Sequence, residues 1–562
     1  MKIDLGAAPF FLDEARKKWV SDTLANLTED EKIGQLFCPI AFSADEGYLR
    51  HELLRWHIGG VLFKTSPSRE VRAALHFMQK NSRVPLLCAA NLEFGSTGFL
   101  EDGTLFGQQM AVGAADKPDD AYRLGLVSCR EAAAVGCNFA FAPVCDPDLN
   151  WRSPIVNVRS YGSDPDKVLE MCRAYKRGAD ECGVAVSVKH FPGDGVDEVD
   201  QHLLVSVNSL SCEAWDETYG KIYRGLIADG AMSVMVGHID QPAWRHRLNP
   251  NLPEGTVPAS LSPELMTGLL RQRLGFNGLI ITDATPMVGF HCAMPRQRAV
   301  PVSIAAGADM FLFNKSLEED FAYMKDGIRR GWLTWRRVDE AVTRVLAMKA
   351  ALGLNGKTAE EILPPAEGLK SIGCAEHHAW ARELADDAVT LVKDTQGNLP
   401  LDAKKTPRLL LEVLGGFPSN DRVASRMKSL LEREGFVVTL WKPEDFSTYR
   451  FGVEPFRETF DAVLYLANIE NASNQTTNRI SWSTFWGHGN NVPWFVHEVP
   501  TVFVSLANPY HLVDVPMIKT CVNCYSNNNE TLDALTEKLM GRDSFRGRSP
   551  VDPFCGKAWL RY

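Results

Sequence analysis

At 562 residues, with 45% hydrophobic and 23% charged positions, the chain exceeds one ordinary domain and has the composition of a protein that buries large cores. Its 60 basic and 70 acidic residues leave a net charge of −10, which removes the electrostatic basis for a nucleic-acid or anionic-membrane role and points to a small or neutral partner. The N-terminal stretch MKIDLGAAPFFLDEARKKWV lacks the apolar core of a secretory signal, and no window approaches the ~18 apolar residues of a membrane helix. A cytoplasmic location is expected, in keeping with 13 scattered cysteines set among apolar residues.

Short apolar runs alternate with longer amphipathic stretches from about residue 30 to 350. GGVLF (59–63), PLLCAAN (85–91), CNFAFAPV (137–144), VAVSVKH (184–190), MSVMVGHI (232–239), GLIITDA (278–284) and ADMFLF (308–313) read as strands, and PDKVLEMCRAYKRGADECG (165–183) is a typical intervening helix. Near-continuous apolar strands each followed by a helix predict a parallel sheet covered on its outer face. Seven or eight such units over this length favour a (β/α)8 TIM-type barrel, and no G-x-G-x-x-G follows the first strand to suggest dinucleotide binding.

The helix RRVDEAVTRVLAMKAALGL (336–354) closes this region, giving a catalytic barrel domain over 1–354. The polar, Pro/Gly-containing segment that follows is a linker over 355–380, with His377 and His378 expected on exposed helix surface. A helix, HHAWARELADDAVTLV (377–392), opens the next unit. Strands RLLLEVLG (408–415), FVVTLW (436–441), DAVLYLAN (461–468), PTVFVSLAN (500–508) and KTCVNCYS (519–526) follow it. The second unit, 381–562, therefore reads as an αβα sandwich. Cys521 and Cys524 form a C-x-x-C, but with no second pair the alternation reads as a strand rather than a zinc or redox motif.

In a parallel α/β barrel the strand ends open onto one face. That face would collect Asn91 and Glu93, Asp146 and Asp148, Lys189 and His190, His238 and Asp240, Asp283 and Asp309. Asp309 alone can be a turn cap, and His238 a hydrogen-bonded core histidine. In GLIITDA the apolar strand runs straight into Asp283. A carboxylate there is costly to bury unless partnered, and serves as a nucleophile if cations such as Lys189 and Arg159 keep it ionised. The stretch FPGDGVDEVDQH (191–202) is a non-helical excursion whose glycines allow it to move, and it ends with Asp200 and His202 two positions apart. A carboxylate beside a histidine orients the ring and raises its proton affinity, which suits general acid/base work.

KHFPGDGVDEVDQH (189–202) resembles the K-H-F-P-G-H-G…D-S-H signature of the β-N-acetylglucosaminidases of glycoside hydrolase family 3. LTEDEKIGQLF (27–37), IGGVLF (58–63), NFAFAPVCD (138–146), RSYGSDP (159–165), GFNGLIITDATPM (275–287) and AAGADMFLF (305–313) are similar to that family's barrel in the same order. AVTLVKDTQGNLPL (388–401), FVSLANPYHL (503–512) and FRGRSPV (545–551) are similar to its sandwich domain. The resemblance implies Asp283 as nucleophile, Asp200 and His202 as the acid/base pair, and Arg159, Lys189 and His190 as ligands of the sugar. Three departures stand out: Asp194 replaces the motif's second histidine, Gln201 replaces its serine, and NLEFGSTG (91–98) stands where D-x-E-G-G-x-V-x-R is usual. Asn91 cannot supply the carboxylate that takes sugar hydroxyls.

The expected activity is that of an exo-acting, retaining β-N-acetylglucosaminidase on a small carbohydrate substrate, needing no metal or other cofactor. Phosphorolysis by the same residues, β-glucosidase activity and a silent sugar-binding protein are the alternatives. The oligomeric state and the natural glycoside stay open. The long segment 471–494 adds Arg479, Trp482 and Trp486 as candidate contacts to sugar; the alternative is that its aromatics cement the loop to its own domain.

Overall fold

The computed structural model describes residues 3–416, 419–442, 452–485, 488–489 and 491–562. Two compact units emerge from the packing. The first comprises Met1–Phe106, Ala121–Val156 and Asp164–His377, and the second Gly107–Asp120, Asn157–Ser163 and His378–Tyr562. Two short segments from early in the chain thus group with the second unit, and most of the linker groups with the first.

The first unit is built on parallel strands. In chain order they are β1 (Phe37–Cys38), β2 (Ile40–Ala41), β3 (Gly60–Phe63), β4 (Leu87–Ala90), β5 (Phe139–Ala140), β6 (Ala185–Phe191), β7 (Ser206–Val207), β8 (Ser233–Val236), β9 (Ile239–Asp240), β10 (Leu279–Thr282) and β11 (Phe311–Leu312). A seven-stranded sheet runs β10-β8-β6-β5-β4-β3-β2. Beyond its β10 edge, Ile281 bridges Met310 in parallel, and β11 pairs with β1 through Phe37 and Phe311. The strand expected at 232–239 ends at Val236, and Ile239–Asp240 pairs instead with β7. The strand at 37–41 has no counterpart in the sequence reading because Pro39 cuts it into dipeptides too short to show a period.

Sequence dictates these elements locally. Every residue of β10, Leu-Ile-Ile-Thr, is buried, as a strand covered on both faces requires; each buried isoleucine contributes about 2 kcal/mol. The helix Pro165–Glu181 starts where Asp164 accepts the Asp166 N–H and proline occupies the first helical position. It buries Val168, Met171, Cys172, Tyr175 and Ala179, a stripe at helical spacing. Asp309 is no turn cap: its carboxylate is fully buried among Arg271, Arg337 at 2.8 Å and Arg344 at 3.4 Å, and takes the Ile280 N–H at 2.9 Å.

The second unit holds β12 (Thr390–Asp394), β13 (Arg408–Leu414), β14 (Val437–Leu440), β15 (Ala462–Ala467), the short pair β16 (Thr484–Phe485) and β17 (His488–Gly489), β18 (Thr501–Ser505) and β19 (Thr520–Asn523). Six of them form a mixed sheet ordered β12-β19-β18-β15-β13-β14, parallel except for β12 against β19. One face packs Leu409, Leu411 and Val504 under Met427, Leu431 and Leu535; the other packs Leu410, Tyr465 and Phe503 with Phe456 and Phe495.

Two expectations are corrected. The helix predicted over 377–392 is Ala375–Ala388, and its last residues become β12. Pairing with β19 supplies the partner that lets Thr390-Leu-Val follow its β propensity. His377 is fully buried and bonds Glu131 at 2.6 Å, while His378 is the exposed one. Cys521 and Cys524 belong to cores on opposite faces of the sheet, so they cannot share a metal. Among the described residues, no helix is long and apolar enough to cross a membrane.

Candidate active site

The site is assembled from strand ends of the first unit. Lys189 and His190 are consecutive on β6 and both buried, so each needs a partner. Lys189 Nζ pairs with Glu93 Oε1 at 2.6 Å, beyond the end of β4. His190 Nδ1 lies 2.8 Å from Asp146 Oδ2, and its backbone N–H donates to the same oxygen at 3.0 Å. The carboxylate orients the ring: Nδ1 donates to it, and Nε2 faces Asp283 Oδ2 at 3.9 Å. Asp146 thereby gains a role that its position in NFAFAPVCD hinted at only as one acidic strand end among several.

Asp283 follows β10. Its backbone N–H donates to Val236 O at 2.8 Å, and its Oδ1 accepts the Ala284 N–H at 2.7 Å. Burial works to raise its pKa, but His190 first, then the other histidines around it and the Ala284 N–H, hold it below the ordinary carboxylate value. An ionised, poorly solvated carboxylate with one oxygen uncommitted to the backbone is equipped for nucleophilic attack.

The loop from Phe191 to His202 brings in the second set of groups. Gly193 sits at φ +126 where a Cβ would lie 2.2 Å from the Tyr219 ring, and Gly195 at φ +92 where it would meet Pro147 O at 2.5 Å. Only glycine fits such left-handed, close-packed positions. At the loop's end Asp200 is fully desolvated and accepts both the backbone N–H of His202, at 2.9 Å, and its Nδ1, at 2.6 Å. Nε2 is then the nitrogen left for proton transfer on a ring that is 21% exposed. The two residues expected to act together are thus paired.

His238 is the core histidine of the two readings. Its Nε2 donates to Ala284 O at 3.0 Å and its Nδ1 meets Ser260 Oγ at 2.7 Å; burial lowers its pKa, and the ring serves as a strut beside Asp283. Asp240 is taken by Arg245 through two bonds of 2.7 and 2.9 Å and is structural. Asp148 is buried and Asn91 exposed. Arg159 ends a short helix, Asn157–Arg159, in a segment that groups with the second unit. Arg479 is paired with Asp514, its Nε at 2.6 Å from Oδ1, and Trp482 packs on the second unit's core. Both are held as the loop-cementing alternative describes. Trp486 lies outside the described residues.

Among the described residues, ligand atoms of Cys374, Glu376 and His377 come within 4.8 Å of one another. The Arg130 guanidinium stands 3.5 Å from both Glu376 and His377 Nε2, and a fixed positive charge there opposes a metal ion.

Residues 28–348 match the Glycosyl hydrolase family 3 N terminal domain. A Cellulomonas fimi protein named beta-N-acetylglucosaminidase/beta-glucosidase is 45% identical over 564 residues, spanning 99% of both chains. A Pseudomonas aeruginosa beta-hexosaminidase is 30% identical over 278 residues, 48% of this chain and 77% of its own. The solved structure of beta-glucoside phosphorylase BglX superposes with a TM-score of 0.93 at 44% identity, over 99% of both chains. This chain belongs to glycosyl hydrolase family 3 and is a glycosidase.

Proposed function

We propose that the protein cleaves terminal β-linked N-acetylglucosamine or glucose with retention, through a glycosyl ester on Asp283. The observation that carries this reading is an ionised, buried carboxylate beside His190, with an Asp200–His202 pair on the adjoining loop. In the first step an Asp283 oxygen attacks the anomeric carbon, the glycosidic bond breaks, and protonated His202 gives its Nε2 proton to the leaving oxygen. In the second, His202 takes a proton from water as it attacks the same carbon and releases Asp283. Lys189 and His190 orient the sugar and offset developing charge. The exposed, uncharged Asn91 replaces the usual acidic contact, and a site with less demand at that hydroxyl suits either sugar. The run of parallel pairings from β2 to β10, β11 and back to β1 supports a closed (β/α)8 barrel as the scaffold.

A second acceptor is favoured by a specific feature. Histidine is neutral once it has given up its proton, whereas a glutamate acid would become an anion that repels phosphate. Phosphate can then attack the glycosyl ester to give a sugar 1-phosphate, the outcome suggested by the name of the BglX neighbour. All 13 cysteines are free, most of them buried, which supports a reducing, cytoplasmic location.

The test is incubation with 2-deoxy-2-fluoro glucosides and their 2-acetamido-5-fluoro counterparts, followed by peptide mass spectrometry. A glycosyl adduct on Asp283 is expected, and an adduct elsewhere overturns the assignment. Turnover of β-glucosides and β-N-acetylglucosaminides with and without phosphate then separates free sugar from sugar 1-phosphate as the product.

A further inference from the structure

Both departures of the loop from the family signature fall on the two ends of one hydrogen bond. Gln201 Nε2 donates to Asp194 Oδ2 at 3.1 Å, and both side chains are almost completely buried. The amide of Gln201 is used from both ends, since its Oε1 accepts the His238 backbone N–H at 2.7 Å. A serine at 201 has one short hydroxyl and could not span these partners.

The connections extend on either side. Asp194 donates its N–H to Asp146 Oδ1 at 2.9 Å, accepts the Gly195 N–H at 2.8 Å, and receives the Tyr219 hydroxyl on its carbonyl. Asp146 is the residue that holds His190. On the other side His238 Nε2 donates to Ala284 O, and the Ala284 N–H holds Asp283. The loop is pinned again where Asn208 Nδ2 bonds Gly193 O at 3.1 Å and where Val288 N–H bonds His202 O at 2.9 Å.

We propose that Gln201 and Asp194 form a clamp that seats the acid/base loop before substrate arrives, which makes Gln201 a positioning residue for His202. The inference rests on the reading of His202 as the acid/base. It replaces the expectation of a loop that swings into place on its glycines: Gly193 and Gly195 serve close packing against Tyr219 and Pro147, and the side chain between the dyad members ties the loop to the strand ends carrying His190 and Asp283. A buried hydrogen bond used this way removes the conformational cost of closing the site at each turnover.

A charge-swapped pair tests the clamp. Gln201→Glu keeps the acceptor for His238 N–H but sets a carboxylate against Asp194. Adding Asp194→Asn restores a donor–acceptor pair, because the new amide can donate to Glu at 201 while its oxygen still takes the Gly195 N–H. The single variant should lose about 30-fold or more in kcat/KM on an alkyl glycoside, whose departure needs a proton, and less than about 3-fold on a dinitrophenyl glycoside. The double variant should recover to within about 5-fold of the parent on the alkyl substrate. Gln201→Met, which keeps the volume and removes both hydrogen bonds, should show the same selectivity and faster hydrogen exchange over residues 191–204.

Equal losses on both substrates in Gln201→Glu and Gln201→Met, or a folded double variant without recovery, would overturn the clamp. His202→Ala provides the separating control. If it slows both substrates equally, the acid/base reading fails; if it shows the selective loss and the Gln201 variants do not, only the clamp fails.

Discussion

Two regions of the molecule treat buried carboxylates in opposite ways, the strand ends around Asp283 and Asp309 in the first unit and β13 in the second. In the first, Asp283 and Asp309 are held below the ordinary carboxylate range despite burial, Asp283 by histidines led by His190 and Asp309 by Arg271, Arg344 and Arg337. In the second, Glu412 lies on β13 with no hydrogen bond of good geometry to either oxygen. Burial pushes it well above that range, with Asn491 and Tyr465 opposing only in part. Depth alone does not set the charge: at Asp283 and Asp309 the groups supplied by neighbouring strands and helices outweigh it, and at Glu412 they do not.

The largest test of this contrast separates the two ionised aspartates. Asp283→Ala should lower kcat/KM by about four orders of magnitude or more, since no other group can form the ester, while the fold persists. Steady-state rates on an aryl glycoside beside a thermal melt check both halves, and residual activity within 100-fold of the parent, on the order of 3 kcal/mol, would break the assignment. Asp309→Asn should do the reverse. Removing the counter-charge of buried Arg271 and Arg344 costs about 3–5 kcal/mol of stability in the first unit, read by denaturant unfolding. A loss below about 1 kcal/mol would show that the arginines find other partners.

How much of this could be seen beforehand depended on whether a residue's partner is near in sequence. Asp200 and His202 are two positions apart, and their pairing was legible as such. Asp283 was marked by an apolar strand running into it, and the family motifs gave it a role. Asp146 was legible only as an acidic strand end, because its partner His190 lies on the neighbouring strand, 44 residues on. Asp194 and Gln201 looked like mere departures from a motif, since only the fold shows that they bond each other. The burial of His377 was missed for the same reason: its partner Glu131 is 246 residues away. In the second unit β12 was hidden inside an apparent helix because its antiparallel partner, β19, comes more than a hundred residues later.

The finest test uses one buried titratable group from each unit, whose pH dependences run in opposite directions. Lys349 is fully buried in the first unit, with Nζ bonded to Gln35 Oε1 at 2.6 Å, and burial lowers its pKa to about 7. Between that value and 10.5 the unfolded chain binds a proton that the folded one lacks, so the first unit gains stability as pH rises from 7 toward 10. For Glu412, whose value is raised, the folded chain keeps a proton that the unfolded chain has lost above 4.5. The second unit therefore loses stability on this account as pH rises from there. Either group contributes a slope of at most about 1.4 kcal/mol per pH unit. Lys349→Met and Glu412→Gln each remove one slope. Hydrogen exchange by mass spectrometry in denaturant reads the units separately: relative to the parent, Lys349→Met should lose ground in the first unit from pH 7 to 9, and Glu412→Gln should gain ground in the second from pH 5 to 7. The constant offsets from the orphaned Gln35 oxygen and from the new amide do not alter these slopes. Parallel lines for parent and variant in either unit would mean that its buried group is charged in the folded protein after all, and the contrast between the units would collapse.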